Sequence, residues 1–229
     1  MDTYPMKVIA RARSAFPTKF GIPRQAGLVD GLITKIVFEP LYRNPDAFRE
    51  IEGYSHLWLI WCFSESVRED WSPTVRPPRL GGNRRVGVFA TRSPFRPNPL
   101  GLSAVKLERV GTEDPEGPVL YVSGADLMDG TPIFDVKPYL PFTDSRPEAS
   151  EGFAGPVRDR SLPVEIPDGL LREIPESLRE PLREVLAQDP RPSYQQDPER
   201  TYGFDFAGMQ IGFRVAGGRL TVTRVSRRD

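Results

Sequence analysis

Apolar and polar residues alternate in short runs along most of this chain, and turn residues separate the runs. Period-two patterning, clearest in KIVFE around Lys35 and in HLWLIWCF from His56, predicts strands over 6–13, 32–38, 56–63, 85–91, 102–110, 119–123 and 132–138. One early segment, 44–52, reads as helix, because Asn44 can cap it and Pro45 would occupy its first position. From 141 to 168 the periodicity is lost in a stretch rich in Pro, Gly, Ser and charge, which predicts a linker or extended loop. Residues 176–188 then space Leu178, Leu182, Val185 and Leu186 at helical intervals, with Pro181 predicting a kink or a late start. Strands are expected over 202–206, 210–215 and 219–225, the last two joined by the hairpin dipeptide of Gly217 and Gly218. Seven short strands with one helical interruption point to a sandwich or a barrel, followed by a small α+β unit. The expected division is a domain over 1–146, a linker over 147–168 and a small domain over 169–229.

Composition narrows the class. With 38% hydrophobic and 27% charged residues the chain is expected to fold. Its longest apolar run falls far short of the roughly 20 residues that cross a bilayer. The N-terminus MDTYPMKVIARAR lacks a signal-peptide core, so a cytoplasmic protein without membrane contact is expected. One cysteine and one histidine exclude an internal disulfide and a Cys/His zinc site within one chain. Cys62 is expected as a buried apolar thiol, and His56 as a structural histidine before a general base. No phosphate loop, dinucleotide-binding glycine fingerprint or nucleophile elbow is present. Asp126, Asp129 and Asp135 are spaced closely enough for a carboxylate metal site, yet Gly130, Thr131 and Pro132 among them equally suggest a tight turn.

Charge changes the picture more. The net charge is zero, yet residues 71–107 hold Arg76, Arg79, Arg84, Arg85, Arg92, Arg96 and Lys106 with no acidic residue. Solvated faces normally mix both signs, so this segregation points to an anion site for phosphates, a nucleotide or RNA. Pairing of these arginines with the acidic C-terminal third is the other reading. The arginines sit between prolines and glycines that limit backbone freedom, with Trp71, Phe89 and Phe95 offering faces on which a ring could stack. A second feature, ADLMDGTPIFDVKPY from Ala125, alternates Asp126, Asp129, Asp135 and Lys137 with apolar residues. It is either an Asp–Lys pairing at a sheet edge or an acidic turn that grips a cofactor carrying an amine and ribose hydroxyls.

The run GVFATRSPFRPN at 87–98 resembles the signature of the TsaA-like family, whose characterised bacterial members are tRNA adenine-N6 methyltransferases of the TrmO type. The resemblance extends to PRQ at 23–25, SHLWL at 55–59, DGTPIFDVKPYLPF at 129–142 and REVLAQDPRPSY at 183–194. It implies a mainly β protein, with an N-terminal β-barrel that binds S-adenosyl-L-methionine near a homodimer interface and a small α+β C-terminal domain. Carried over, the cofactor contacts fall on Pro23, Arg24, Gln25, Phe63, Ser64, Arg92, Leu102, Asp126, Leu127, Met128 and Asp129. Relatives often carry His where this chain has Ser64, so a backbone contact is expected there. The implied reaction is metal-free N6-methylation of threonylcarbamoyl-adenosine at position 37 of tRNA, with threonine tRNA as the expected acceptor. Asp126, Asp129 and Tyr139 are candidates for the proton acceptor, as is a water, and no catalytic residue is assigned. Charge segregation gives Arg84, Arg85 and Arg96 to the tRNA phosphates and Arg92 to the cofactor. Arg191, Tyr194 and Arg200 suggest that the C-terminal unit helps dock the anticodon arm. A non-catalytic barrel that binds S-adenosyl-L-methionine or RNA is the alternative.

Overall fold

The computed structural model describes residues 2–77, 84–157, 161–191 and 197–227, so Arg79 and Tyr194 lie outside the described residues. The N-terminal part contributes β1 (Ala10–Arg13), β2 (Ile33–Phe38), β3 (His56–Cys62), β4 (Thr74–Val75), β5 (Val86–Gly87), β6 (Leu100–Gly111), β7 (Val119–Ser123), β8 (Pro132–Pro138) and α1 (Pro141–Asp144). The C-terminal part adds β9 (Val164–Glu165), α2 (Asp168–Glu173), α3 (Glu176–Ala187), β10 (Tyr202–Phe206), β11 (Met209–Ala216) and β12 (Arg219–Arg227). The expected mainly β architecture, a barrel followed by a small unit of helices and strands, is what forms.

Six strands close the barrel in the order β1-β2-β7-β6-β3-β8, and every neighbouring pair is antiparallel. Alternation decides which side chains fill it. On β3, Leu57, Leu59 and Trp61 point inward, where they meet Ile36, Val105, Leu120, Val122 and Ile133. The opposite face of β3 is apolar too because it is partly covered. The Trp58 indole N–H donates to Asp144 of α1 at 2.8 Å, and its ring lies 5.3 Å from that of Tyr139. That double covering explains why the HLWLIWCF run lacks a polar face.

Four expectations need correction. The helix over 44–52 is two short 3-10 turns, Pro45–Phe48 and Ile51–Gly53. Asn44 does cap, accepting from the Asp46 N–H at 3.0 Å, but Glu50 at φ 66 breaks the path, and only Phe48 is buried, edge-on to Phe38. Phe48 and the partly buried Ile51 are the apolar contacts with the barrel core, too few for a stripe that would hold an α-helix. The strand over 85–91 shrinks to β5, paired with two-residue β4; Val88 then donates its N–H to Pro73 O and the chain turns over Val88–Ala90. The strand over 6–13 begins only at Ala10, with Met6 and Lys7 exposed. The loop over 141–168 carries α1, a 3-10 stretch at Gly152–Val157 and β9, which adds a parallel edge to β12. Helix α3 starts at Glu176 and runs through Pro181, whose ring is buried against Gly31.

The second sheet has the order β10-β11-β12-β9, and its core includes Leu182, Val185, Leu186, Phe204, Phe206, Ile211 and Phe213. Gly217 (φ 54) and Gly218 (φ 74) form the β11–β12 turn, in the left-handed pair of conformations that a two-residue hairpin of this type needs. Phe16, Val29 and Leu32, from the segment between β1 and β2, are buried in this core and not in the barrel's.

Candidate functional site

Barrel topology gathers the sequence features at one place. Because neighbours are antiparallel, β1, β3 and β7 run one way and β2, β6 and β8 the other. Arg13 pairs with Lys35, Cys62 with Leu100, Ser123 with Ile33 and Trp61 with Ile133. The segments 14–32, 63–99 and 124–131 therefore all leave from the same end of the barrel. They carry PRQ, the arginine-rich block and the Asp126–Asp129 turn. Three features far apart in sequence are thus neighbours by connectivity alone.

Side chains join these segments. The Arg92 guanidinium donates to Gln25 Oε1, and the Gln25 amide donates to Arg24 O at 2.5 Å. Gly27 N–H donates to Gly124 O at 2.9 Å, pinning the first segment to the third. Beneath them lies a one-way chain. Trp61 Nε1–H donates to Ser103 Oγ at 2.9 Å, and Ser103 donates its only hydrogen to Asp126 Oδ1 at 2.5 Å. The indole has no acceptor, so Ser103 must give its proton to the carboxylate. Gly101 makes room for this: a Cβ there would stand 2.2 Å from the Trp61 ring. Burial pushes the Asp126 carboxyl above its usual range, while the Ser103 hydroxyl, the Ala26 N–H and the Arg92 charge pull the other way. The outcome is an acceptor-only group at the mouth of the barrel, between a guanidinium and main-chain N–H.

The other expected site residues divide. Phe63 packs on Trp61, with ring centroids 4.2 Å apart, and Ser64 is exposed in the turn that follows. Leu127 is a barrel-core side chain, 1% exposed, whose carbonyl accepts from Ser14 Oγ at 2.8 Å. The Met128 carbonyl accepts from Thr131 Oγ1 at 2.7 Å, and Asp129 accepts from the Ser14 N–H at 3.0 Å. Asp129 thus braces its own turn, and Asp126 is the carboxylate turned toward Arg92. Leu102 points outward on β6, 57% exposed and opposite Ile60, on the other face from Ser103. Pro23 is buried and Arg24 half-buried, donating to Asp189 O at 2.9 Å.

Asp126, Asp129 and Asp135 do not converge: Asp135 pairs with Lys137 at 2.9 Å, the sheet-edge arrangement, and no group of three or more His, Cys, Asp or Glu is placed for a metal among the described residues. Tyr139 donates its N–H to His56 O, where β3 begins and β8 has just ended. Asp126 bonds Ser103, which pairs with Leu59, so Tyr139 lies about three residues of β3, roughly 10 Å, along the strand from that carboxylate. Arg84 and Arg85 are exposed, Arg85 touching Thr74 Oγ1 at 3.2 Å; Arg96 is half-buried and donates to Thr91 O at 3.0 Å. Among the described residues none of Arg76, Arg84, Arg85, Arg92 and Arg96 forms an ion pair with the acidic C-terminal third. Sequence reasoning missed Trp61, Gly101 and Ser103 as parts of the site. A serine on the inward face of β6, between Gly101 and Val105, was the available signal.

Comparison with known proteins places this arrangement. Residues 11–145 match the tRNA-methyltransferase O N-terminal domain, and residues 167–228 the TrmO C-terminal domain. A tRNA (adenine(37)-N6)-methyltransferase of Escherichia coli K12 is 46% identical over 154 residues, which cover 67% of this chain and 65% of that protein. A "Probable S-adenosyl-L-methionine-binding protein" of Archaeoglobus fulgidus is 41% identical over 109 residues, 47% of this chain and 27% of its own. The crystal structure of TrmO from Pseudomonas aeruginosa superposes with a TM-score of 0.79 at 30% identity, covering 100% of this chain and 99% of that one. With both domains matched in order, and the barrel and its three motif-bearing segments in place, the chain belongs to the tRNA-methyltransferase O family.

Proposed function

We propose that this protein is an enzyme that transfers a methyl group from S-adenosyl-L-methionine to N6 of adenine 37 in tRNA, on the threonylcarbamoyl-modified base and with threonine tRNA as its acceptor. The observation that carries this reading is the meeting of PRQ, Arg92 and the Asp126 turn at one barrel end, in a chain of this family. The residues fit the cofactor: Asp126 would accept from its amine or ribose hydroxyls, and the Arg92 charge would hold its carboxylate. The cofactor supplies a sulfonium methyl whose departure leaves a neutral thioether, so no acid is needed to protonate it. The chain's part is alignment and exclusion of water. N6 of the modified base is a urea nitrogen and a weak nucleophile, so an acceptor for its proton assists. Asp126 is favoured for that role over Asp129, whose carboxylate is occupied in bracing its own turn, and over Tyr139, which lies about three residues of β3 away.

In this reading the working unit is a cytoplasmic homodimer with the cofactor near the interface, and the outward Leu100 and Leu102 are apolar surface for a second copy. The barrel over 1–146 carries the chemistry, and the connection over 147–168, which gives β9 to the second sheet, leads into the small second domain over 169–229. The deciding experiment incubates the protein with S-adenosyl-L-methionine and total tRNA from a strain lacking the activity, then measures nucleosides by mass spectrometry. Methylated threonylcarbamoyl-adenosine is the expected product. Its absence removes the claim, and cofactor binding without turnover would favour a sensor.

Exposed Arg84 and Arg85, with Arg96 behind them, are assigned to tRNA phosphates. Replacing Arg84 and Arg85 together by Ala is expected to weaken tRNA binding and to flatten the plot of log affinity against log salt by roughly one to two units. A filter-binding salt titration checks it, and an unchanged slope would refute the assignment.

A further inference from the structure

The C-terminal sheet lies directly against the segment that carries PRQ. Ala207 donates its N–H to Ala15 O at 2.8 Å, and the Phe16 ring meets Phe206 edge-on at 5.6 Å. Phe20 packs on Phe204 at 6.3 Å. Gly21, at φ +89, lies flat on the same Phe204 ring, where a Cβ would stand 2.3 Å away. On the far side of PRQ, Val29 and Leu32 are buried in the C-terminal core, and Gly31 abuts Pro181 of α3. Both flanks of the stretch 22–28 are thus seated on the second domain.

Its middle is seated as well. Arg24 donates to the carbonyl of Asp189, two residues beyond the end of α3. Asp189 holds a left-handed backbone at φ 51, and Arg191 clasps its carboxylate through two bonds of 2.8 and 2.9 Å. That clasp orients the carbonyl Arg24 uses. A two-bond Arg–carboxylate pair is among the more rigid polar contacts available.

We infer that the C-terminal domain is a structural part of the cofactor site, with Asp189 and Arg191 as positioning residues that hold the PRQ segment in its binding conformation before any RNA arrives. The inference rests on reading Pro23, Arg24 and Gln25 as cofactor-binding residues. Each free residue of a loop loses backbone conformational entropy when it is ordered. A segment left loose would charge that cost to cofactor binding, whereas one seated on the sheet is already ordered. The second domain then acts on cofactor affinity itself, and not only on RNA docking.

The test uses the full chain without RNA. Binding of S-adenosylhomocysteine is followed by calorimetry, and amide exchange over 22–27 by deuterium uptake without ligand. Arg191→Ala and Asp189→Ala should weaken binding about tenfold and speed exchange over 22–27, with exchange in the barrel strands unchanged. Asp189→Asn should recover most of both, since Asn tolerates the left-handed backbone and still accepts from Arg191. Wild-type affinity and wild-type exchange in both Ala variants would overturn the inference. Exchange that rises in a protein whose wild type binds no S-adenosylhomocysteine would support the seating while removing the functional reading on which its purpose rests. Loss of protection across the barrel as well would reduce these residues to general stability and overturn the positioning role.

Discussion

Gly101→Ala is expected to destabilise the protein by roughly 3 kcal/mol, and to weaken cofactor binding with it. A Cβ at this position would lie 2.2, 2.4 and 2.5 Å from three atoms of the Trp61 indole. Trp61 has nowhere easy to go: it is 6% exposed, inside the barrel, with Phe63 packed on it. Any shift that relieves the clash pulls the indole N–H from Ser103, whose hydroxyl is then free to turn from Asp126. Two effects follow from one methyl group: strain in a packed interior and loss of orientation at the carboxylate. Urea denaturation measures the first and calorimetric titration with S-adenosylhomocysteine the second. A denaturation midpoint close to wild type would show that the barrel accommodates the methyl, and would sink the argument for Gly101.

Asp126→Asn should have opposite effects on activity and stability. Loss of the charge is expected to cost about a hundredfold or more in methylation, the scale of a charge-assisted contact or proton acceptor at a reacting group. The shape survives, and the Asn oxygen still accepts from Ser103. Stability should rise, by ~2–4 °C in the unfolding midpoint, because burial is the leading cause that lifts this carboxyl above its usual range. The sign follows from proton linkage. The folded state binds this proton more tightly than the unfolded chain, so the contribution to stability is greatest below the ordinary value of 3.8 and is lost as pH rises through the elevated folded value. Cofactor affinity should run the other way, since in the proposed site the ionised Asp126 carboxylate accepts from the cofactor and is lost on acidification. Titrations across the acidic range on wild type and Asp126→Asn test both trends. A variant with full activity, or one less stable than wild type at neutral pH, would contradict the role given to Asp126.

A stability gain bought by losing function is a familiar sign of a binding group held in a costly environment. It also separates Asp126 from Asp129. The latter accepts from the Ser14 N–H and braces its turn, so its replacement should lower stability.

The sequence by itself determined what local physics determines. Strands with a strict inward face, such as β3 and β10, were legible because a pleated chain must bury every second side chain. The α3 stripe and the Gly217 and Gly218 turn were legible for the same reason: each rests on residues a few positions apart. The concentration of positive charge over 71–107 was legible from residue types alone. The tertiary structure decided the rest. Two-residue strands such as β5 and β9 exist only because a partner lies beside them, and no period can announce a strand that short. The 44–52 helix failed because Phe48 and Ile51 reach the barrel core from two separate turns, with Glu50 in a left-handed conformation between them. Antiparallel closure put three distant segments at one barrel end, and the second domain's sheet took up the flanks of one of them. The hydrogen-bond chain through Trp61, Ser103 and Asp126 spans β3, β6 and the turn after β7, so its geometry arises only once the barrel has closed.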